Sequence, residues 1–236
     1  MTPRGTVLVT GGGTGLGAAT AVLLAQRGYD VHVAGRTRQT LADVVSAIVR
    51  DGGRAAAHVV DVTGADACER VVEEVARATG RIDVLVNNAG LFRRGSVTEL
   101  SDEDWASTID TNLTGAFNAA RAAARRMRRQ DPYDGCRGHI LNVNSGAGLR
   151  GYVAGAAYTA SKFGLMGLSD ALRQEVAEDL VKVTDVVVAT AVQSRLSTRT
   201  GVRRLPTDTV AQTVADVLAM SGAAVITRVD LDQLPG

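Results

Sequence analysis

Short runs of β-branched residues alternate with longer, alanine-rich stretches along this sequence of 236 residues. Alternation of this kind is typical of βαβ units, in which parallel strands form one sheet that helices cover on both faces. No internal repeat or low-complexity linker interrupts the pattern. We therefore predict an α/β fold with a doubly wound parallel sheet of about seven strands, formed as a single domain over residues 1–236.

The length and composition of each run give the predicted elements. The predicted strands are Thr6–Thr10, Asp30–Ala34, Ala55–Val60, Asp83–Asn87, His139–Val143, Val183–Val188 and Ala224–Val229. The predicted helices are Gly15–Arg27, Thr40–Arg50, Ala65–Thr79, Asp102–Arg129, Ala157–Glu178 and Asp208–Met220. The arginines at residues 125–129 then mark a solvated helix end rather than a nucleic-acid surface, because no aromatic stacking residues lie among them.

A glycine-rich turn, Gly11-Gly12-Gly13-Thr14-Gly15-Leu16-Gly17, joins the first predicted strand to the first predicted helix. Glycines let a backbone approach a pyrophosphate closely, and a helix N-terminus offers free N–H groups and the positive end of a dipole. The usual dinucleotide fingerprint fits loosely, as Gly13-x-Gly15-x-x-Ala18. A tight turn alone would also explain the glycines, but their position after an N-terminal strand favours a phosphate cradle.

Tyr158 and Lys162 are four residues apart in a predicted helix, and Ser145 lies thirteen residues before Tyr158. Residues four apart share a helix face, so the phenol and the ammonium are expected to enter one pocket. A nearby cation would lower the pKa of tyrosine from roughly 10 toward neutrality. Such a tyrosine exchanges a proton with a carbonyl or alcohol oxygen that a serine hydroxyl holds. The chain has one other lysine, Lys182, so a lysine here favours a chemical role.

Composition excludes several classes of function. A formal net charge of +1 provides no field for nucleic acid or for a membrane surface. Two cysteines and three scattered histidines show neither a disulfide framework nor the spacing of metal ligands. The uncharged stretch from Thr6 to Gln26 contains five glycines, which argues against a signal peptide or a membrane span. We therefore expect a cytoplasmic protein without a metal ion.

With these residues in place, the sequence resembles the short-chain dehydrogenase/reductase family in its short, one-domain branch, from Thr6 to about Val229. Thr10-Gly11-x-x-x-Gly15-x-Gly17 corresponds to the cofactor loop of that family, and Asn87-Asn88-Ala89-Gly90 to its motif after the fourth strand. The resemblance implies a Rossmann fold and four catalytic residues. These are Asn112, Ser145, Tyr158 and Lys162.

The resemblance also implies a role for each site residue. Tyr158 would be the general acid in reduction, Ser145 would hold the carbonyl oxygen, and Asn112 would anchor a water that leads to Lys162. Lys162 would bind the nicotinamide ribose, Asp61 the adenine amino group and Asn88 the adenosine ribose. The full set of implied cofactor residues is Gly11, Gly13, Thr14, Gly15, Leu16, Gly17, Arg36, Thr37, Asp61, Val62, Asn88, Ala89, Gly90, Tyr158, Lys162 and Val192.

The end of the second predicted strand bears on the choice of cofactor. An acidic residue there would bind the adenosine 2′-hydroxyl and repel a 2′-phosphate. Gly35 occupies that position, Arg36 and Thr37 follow it, and Asp30 lies at the other end of the strand. An arginine fork beside a hydroxyl suits a phosphate dianion, so we predict NADP(H) in preference to NAD(H).

The sequence departs from the family after the sixth predicted strand. Val188-Ala189-Thr190-Ala191 stands where the family has a Pro-Gly pair, so the assignment of Val192 to the nicotinamide carboxamide depends on an altered turn. The lid region from Ser194 to Pro206 is short and contains four arginines. These arginines would either meet an anionic substrate or be solvated.

An NADPH-dependent ketone reductase acting on a small carbonyl or alcohol substrate is the leading hypothesis. The alternatives are an NAD-dependent alcohol dehydrogenase, a cofactor-binding regulatory protein and a methyltransferase; the intact catalytic residues argue against the last two. Loop residues that would line the substrate pocket are Arg93, Arg94, Leu149, Tyr152 and Val153. The resemblance implies a homodimer or homotetramer through the helices Asp102–Arg129 and Ala157–Glu178. Their small or apolar faces would be Ala116, Ala119, Ala120, Ala123 and Ala124 on one and Leu165, Leu168 and Leu172 on the other.

Overall fold

The structure, a computed structural model, describes residues 4–189, 205–220, 222 and 224–233. Its strands within these ranges are β1 (Thr6–Thr10), β2 (Asp30–Gly35), β3 (Arg54–Val59), β4 (Val84–Asn87), β5 (Gly138–Ser145), β6 (Val181–Val188) and β7 (Arg228–Leu231). Its α-helices are α1 (Gly15–Gln26), α2 (Arg38–Arg50), α3 (Ala65–Thr79), α4 (Asp102–Ile109), α5 (Gly115–Met127), α6 (Ala156–Glu175) and α7 (Thr207–Leu218).

All of these strands belong to one sheet, in the order β3-β2-β1-β4-β5-β6-β7, and each strand is parallel to its neighbours. The chain builds the sheet outward from β1 to one edge, returns to place β4 beside β1, and continues to the other edge. The strand order therefore reverses between β1 and β4. Ligands of open α/β sheets bind at such a reversal, outside the carboxyl ends of the strands. The predicted doubly wound architecture is confirmed.

Alternate side chains of β1 enter two different cores, one on each face of the sheet. Val7 and Val9 lie in a cluster with Leu24 of α1, while Leu8 lies in a cluster with Val71 of α3. Successive side chains of a strand point to opposite faces, so a strand that is buried on both faces reads as an unbroken apolar run. This burial explains why the valine-rich runs were good predictors of the central strands.

The helix predicted over Asp102–Arg129 consists of three segments rather than one. Between α4 and α5, residues Asp110–Thr114 form a π-helical turn, after which the Gly115 N–H donates to the Asp110 carbonyl. The extra residue in this turn alters the register of α5 relative to α4. Asn112, which is buried, lies within the turn. Single π-helical turns inside α-helices occur frequently at functional sites.

The last strand lies further along the chain than the sequence indicates. The prediction was Ala224–Val229, whereas β7 begins at Arg228. Arg228 and Asp230 alternate with apolar residues in β7 and form an ion pair with each other (2.9 Å). An edge strand has one side in water and can carry charged residues there. The more apolar run that precedes β7 therefore looked more like a strand than β7 itself did.

The alanine-rich face of α5 packs inside the chain, which corrects the predicted interface. The side chains concerned are at most 6% exposed; they are Ala116, Ala119, Ala120, Ala123 and Ala124. All of them except Ala116 lie in the core cluster on the α3 and α5 face of the sheet. Leu165 of α6 is also buried. The exposed large apolar residues on these helices are instead Trp105, Phe117 and Phe163. The assignment of the alanines and Leu165 to a subunit contact was therefore wrong, and the oligomeric state stays a prediction.

Candidate active site

The glycine turn lies at the carboxyl end of β1, beside the reversal in strand order. Gly11 and Gly15 have φ angles of +64° and +53°, a region that side chains other than glycine rarely adopt. A Cβ on Gly17 would overlap the Gly11 carbonyl and lie 2.5 Å from Asn88 Nδ2, and one on Gly13 would lie 2.6 Å from Thr40 Oγ1. The turn therefore needs glycine for its own geometry and for close packing against its neighbours.

Thr10 and Asn88 fasten this turn to the segment after β4. Thr10 Oγ1 accepts hydrogen bonds from the N–H groups of Asn88 (3.0 Å) and Ala89 (3.1 Å). Asn88 Nδ2 donates to the carbonyls of Thr10 (3.0 Å) and Gly11 (3.3 Å). The structure thus brings the predicted Asn88 and Ala89 against the glycine turn, whereas Gly90 lies next to Asn112. The supporting role of Thr10 was missed, although a threonine directly before Gly11 was visible in the sequence.

The N-terminus of α1 suits a phosphate group. Thr14 precedes α1 without a side-chain capping bond, and the first turn of this described helix carries no acidic residue. Thr14 and Gly15 are exposed, whereas Leu16 packs against the core. The N–H groups of the first turn are consequently available to an anion, which the helix dipole also favours.

The end of β2 has the charge expected for a 2′-phosphate site. Arg36 and Thr37 are exposed, and Arg36 has no ion-pair partner among the residues that the structure describes. The Thr40 side chain, near Gly13, places the start of α2 next to the glycine turn. Asp30, at the other end of β2, lies 3.7 Å from His32 Nε2. The carboxylate is thus remote from the strand end, as the sequence indicated.

Asp61 and Val62 form a turn after β3 that is held from two sides. The Asp61 carboxylate accepts hydrogen bonds from the N–H (3.0 Å) and hydroxyl (2.9 Å) of Thr63. Asn118 of α5 donates to the Val62 and Thr63 carbonyls, both at 3.1 Å. Asp61 is exposed and Val62 is buried. Asn118 was not among the predicted site residues, because its contact with this turn depends on the packing of α5.

Ser145, Tyr158 and Lys162 meet at the carboxyl end of β5. The Ser145 side chain lies beside the Tyr158 phenol and favours its ionised form. Lys162 Nζ lies 5.7 Å from the centroid of the Tyr158 ring and donates to the Val143 carbonyl (2.9 Å). Phe92 contacts the same ring edge-on, with centroids 5.2 Å apart. Spacing along the sequence therefore identified three side chains that the fold brings together.

The protonation of this group differs from the expectation of a lowered tyrosine pKa. Burial raises the pKa of Tyr158 above its usual value, and the neighbouring Ser145 side chain offsets this in part. Burial also lowers the pKa of Lys162 to about 8, while the Asp185 carboxylate acts in the opposite direction. The phenol therefore keeps its proton at neutral pH, and the lysine is a weaker cation than usual. The expectation was wrong because it counted the lysine charge and omitted burial.

Asn112 links the segment after β4 to α6. Its Oδ1 accepts from the Leu91 N–H (2.8 Å), and its Nδ2 donates to the Leu91 carbonyl (2.9 Å) and to Ser161 Oγ (3.1 Å). Ser161 Oγ in turn donates to the Tyr158 carbonyl (2.7 Å). The Asn112 side chain is thus engaged in holding the tyrosine-bearing turn in position. Its implied role as a water anchor stays a prediction.

The structure describes the predicted pocket walls but not the predicted lid. Val192 and the lid arginines lie outside the described residues. Among the predicted pocket walls, Val153 is 99% exposed and Arg93 pairs with Asp104 (3.3 Å). The Gly95 N–H donates to the Ala154 carbonyl (3.2 Å), which joins the two wall-forming loops beside Tyr158.

Comparison with known proteins defines the class of this enzyme. The family model for short chain dehydrogenases matches residues 5–201, and the chain belongs to this family. It is 38% identical over 180 residues to the 3-oxoacyl-[acyl-carrier-protein] reductase of Synechocystis sp., an alignment that covers 76% of this chain and 71% of that protein. The chain is therefore an NAD(P)-dependent oxidoreductase that acts on carbonyl or hydroxyl groups.

Solved structures give the same class. A metagenomic short-chain oxidoreductase in complex with NADP has a TM-score of 0.85 and 32% identity, with 98% of this chain and 97% of that chain covered. Actinorhodin polyketide ketoreductase with NADPH has a TM-score of 0.86 and 28% identity, with coverage of 96% and 95%. In the part of the chain that the structure describes, no helix is long and apolar enough to cross a membrane. No group of three potential metal ligands occurs there either.

Proposed function

We propose that this enzyme reduces a ketone to a secondary alcohol with NADPH, and that Tyr158 is the general acid. The observation that carries the proposal is that Ser145 and Lys162 both act on Tyr158: the Ser145 side chain influences the phenol, and Lys162 Nζ lies 5.7 Å from the centroid of its ring. The hydroxyl groups of Tyr158 and Ser145 can both donate hydrogen bonds to a carbonyl oxygen that lies between them. A regulatory protein that only bound the cofactor would not need this arrangement.

The charge state of Tyr158 suits proton donation. Because burial raises the pKa of the phenol, it carries a proton at neutral pH and can transfer that proton to the forming alkoxide. Ser145 holds the oxygen during the transfer, and bound nicotinamide supplies the hydride. The reaction needs no other proton donor at this position.

Lys162 has two tasks in the proposal. Its ammonium group, close to the Tyr158 ring, stabilises the phenolate that proton transfer leaves behind. A pKa of about 8 leaves this group mostly protonated at neutral pH. In the proposal, the same ammonium also donates to the nicotinamide ribose of the bound cofactor. Lysine supports both tasks because its charge is compact and its donors rotate.

NADPH is the proposed cofactor on account of Arg36. The end of β2 offers an exposed guanidinium and no carboxylate, the reverse of what a free 2′-hydroxyl requires. The two related structures described above contain NADP and NADPH. The residues proposed to hold the cofactor are those of the glycine turn, Arg36, Thr37, Asp61, Val62, the 88–90 segment and Lys162.

The wall beside Tyr158 indicates a substrate with an apolar body. Phe92 lies edge-on to the Tyr158 ring, and Tyr152, which is partly exposed, lies near both. Arg93 on the same wall is paired with Asp104 rather than free to bind a carboxylate. We therefore expect aryl and alicyclic ketones to be reduced in preference to small hydrophilic keto acids.

A screen of carbonyl compounds tests the proposed function. Consumption of NADPH is followed with aryl ketones, cyclic ketones and keto acids, and each assay is repeated with NADH and with the Ser145→Ala variant. Reduction by NADPH that the variant loses would support the proposal. Oxidation of secondary alcohols with NAD⁺, together with no reduction of any ketone by NADPH, would favour the alternative of an NAD-dependent alcohol dehydrogenase.

A further inference from the structure

A buried carboxylate lies behind the active site, on β6. Asp185 is 1% exposed, yet it stands in a strand that is otherwise mostly valine. Its Oδ1 accepts from Ser169 Oγ (2.8 Å) and from Asn144 Nδ2 (3.4 Å), and its Oδ2 pairs with Arg173 (3.3 Å). A buried carboxylate is costly even when it is paired, and an apolar residue of similar size is often at least as stabilising. Packing alone therefore does not explain Asp185.

Asn144 connects this carboxylate to the catalytic serine. While its Nδ2 donates to Asp185, its Oδ1 accepts from the Ser145 N–H (2.9 Å). The amide of Asn144 is thus oriented by Asp185 and in turn orients the Ser145 backbone. Lys162 Nζ donates to the carbonyl of Val143, the residue on the other side of Asn144. The three residues 143–145 therefore bring Ser145 and the Lys162 anchor into one short segment.

We propose that Asp185 is a positioning residue of the active site. Through Asn144 it holds the segment 143–145, which carries Ser145 and anchors Lys162, and it supplies the buried negative charge that acts on the Lys162 ammonium. This inference rests on the proposed function of the same site. It adds a residue that contacts neither substrate nor cofactor and that a sequence pattern of catalytic residues does not include.

The other groups around Asp185 have their own partners or are neutral, so Asp185 is the carboxylate that acts on Lys162. Arg173 of α6 pairs with Asp170 (3.1 Å) as well as with Asp185. Arg228, which is opposite Asp185 in the β6–β7 register, pairs with Asp230. The β5 side contributes neutral amides, Asn142 through Ser169 and Asn144 directly. Burial lowers the pKa of Lys162, and Asp185 opposes that shift.

The titration of Lys162 tests the proposal without any need for turnover. Because the chain contains only Lys162 and Lys182, isotope-labelled lysine gives two side-chain NMR signals whose pH dependence can be followed separately. In Asp185→Asn we expect Lys162 to titrate at lower pH than in the unmodified protein. Asp170→Asn, which removes an exposed carboxylate from the same arginine, is the matched control and should leave Lys162 unchanged. A Lys162 titration in Asp185→Asn that equals that of the unmodified protein would overturn the proposal.

A second variant covers the case in which Asp185→Asn does not fold. Asn144→Ala keeps the carboxylate with Ser169 and Arg173 but removes the link to Ser145. We expect kcat to fall by roughly 10²-fold, the scale of a small misplacement of a reacting group. An unchanged kcat would overturn the positioning role. Absence of carbonyl reduction by the unmodified protein, with a shifted Lys162 titration in Asp185→Asn, would refute the proposed function and support the electrostatic role of Asp185.

Discussion

At the scale of single residues, the site depends on side chains whose charge is set by their surroundings. Tyr158 and Lys162 are neighbours, but burial moves their pKa values in opposite directions, upward for the phenol and downward for the ammonium. The two values, which are usually close together at roughly 10, therefore move apart. This arrangement keeps a protonated acid beside a cation that can lose its proton above neutral pH.

The alkaline limb of the pH profile reports Lys162. A pKa lowered to about 8 means that the ammonium is lost as pH rises through that value, whereas Tyr158, with a raised pKa, stays protonated. We therefore expect kcat/KM for ketone reduction to decline above about pH 8, because kcat/KM follows the free enzyme. Lys182→Met should leave this decline in place. A profile that stays flat well above pH 8 would contradict the assignment.

Arg36 decides the cofactor at the same scale. Arg36→Gln removes a charged hydrogen-bond donor, which is worth about 1.5–3 kcal/mol, so NADPH affinity should fall roughly 10-fold to 100-fold. NADH affinity should change little, because NADH has no 2′-phosphate. Arg50→Gln, an exposed arginine at the other end of α2, is the control. Equal affinities of Arg36→Gln and the unmodified protein for NADPH, measured by fluorescence titration, would place the 2′-phosphate elsewhere.

At the scale of elements, the cofactor cradle consists of the glycine turn at residues 11–17 and the carboxyl ends of β1 and β4, which hydrogen bonds connect. Thr10 and Asn88 connect the carboxyl ends of β1 and β4 through four hydrogen bonds. The π-helical turn between α4 and α5 places Asn112 where it joins the segment after β4 to α6. The cofactor cradle and the catalytic helix are thus both connected to the chain that follows β4.

Close packing at Gly17 tests this connection. Gly17→Ala would place a Cβ 2.5 Å from Asn88 Nδ2, so we expect the unfolding free energy to fall by about 1–3 kcal/mol and NADPH binding to be lost. Gly167→Ala is the control, since no atom in the described chain lies within 4 Å of the position of its Cβ. Denaturant unfolding and cofactor titration measure both effects. Normal NADPH affinity in Gly17→Ala would show that the turn adjusts without loss.

Much of the fold was predictable, for reasons that differ among the elements. Central strands such as β1 are buried on both faces, so their valine-rich runs were evident. The predicted position of the edge strand β7 was wrong by several residues, because the charged side chains of β7 made it look less like a strand. The π-helical turn, Asp110–Thr114, contains no glycine or proline, so no helix-breaking residue marked it in the sequence. Tyr158 and Lys162 follow a local spacing, whereas the contacts of Asn118 and Asp185 depend on tertiary packing.

At the scale of the whole molecule, three large aromatic side chains on α4, α5 and α6 are exposed in the described chain. Trp105 of α4, Phe117 of α5 and Phe163 of α6 are each at least 40% exposed. Isolated exposed apolar residues are common, but several large rings on adjacent helices indicate an interface. A twofold contact would use the same surface on both subunits.

Light scattering at micromolar concentration tests the predicted assembly. We expect a mass of at least twice the 24.5 kDa of one chain, and a shift toward one chain in Phe163→Asp, because a charge in an apolar contact is costly. Val49→Asp, at an exposed valine of α2, should keep the mass of the unmodified protein. A mass near 24.5 kDa for the unmodified protein would contradict the predicted dimer or tetramer.

The most direct test of the whole account is the single-turnover rate of Tyr158→Phe with NADPH and a ketone that the unmodified enzyme reduces. Phenylalanine keeps the ring that packs against Phe92 and removes only the proton donor. The account predicts normal folding, unchanged NADPH affinity and a rate lower by roughly 10²–10⁴-fold, the usual contribution of general acid catalysis. A rate within a few fold of the unmodified enzyme would contradict the assignment of Tyr158 as the acid.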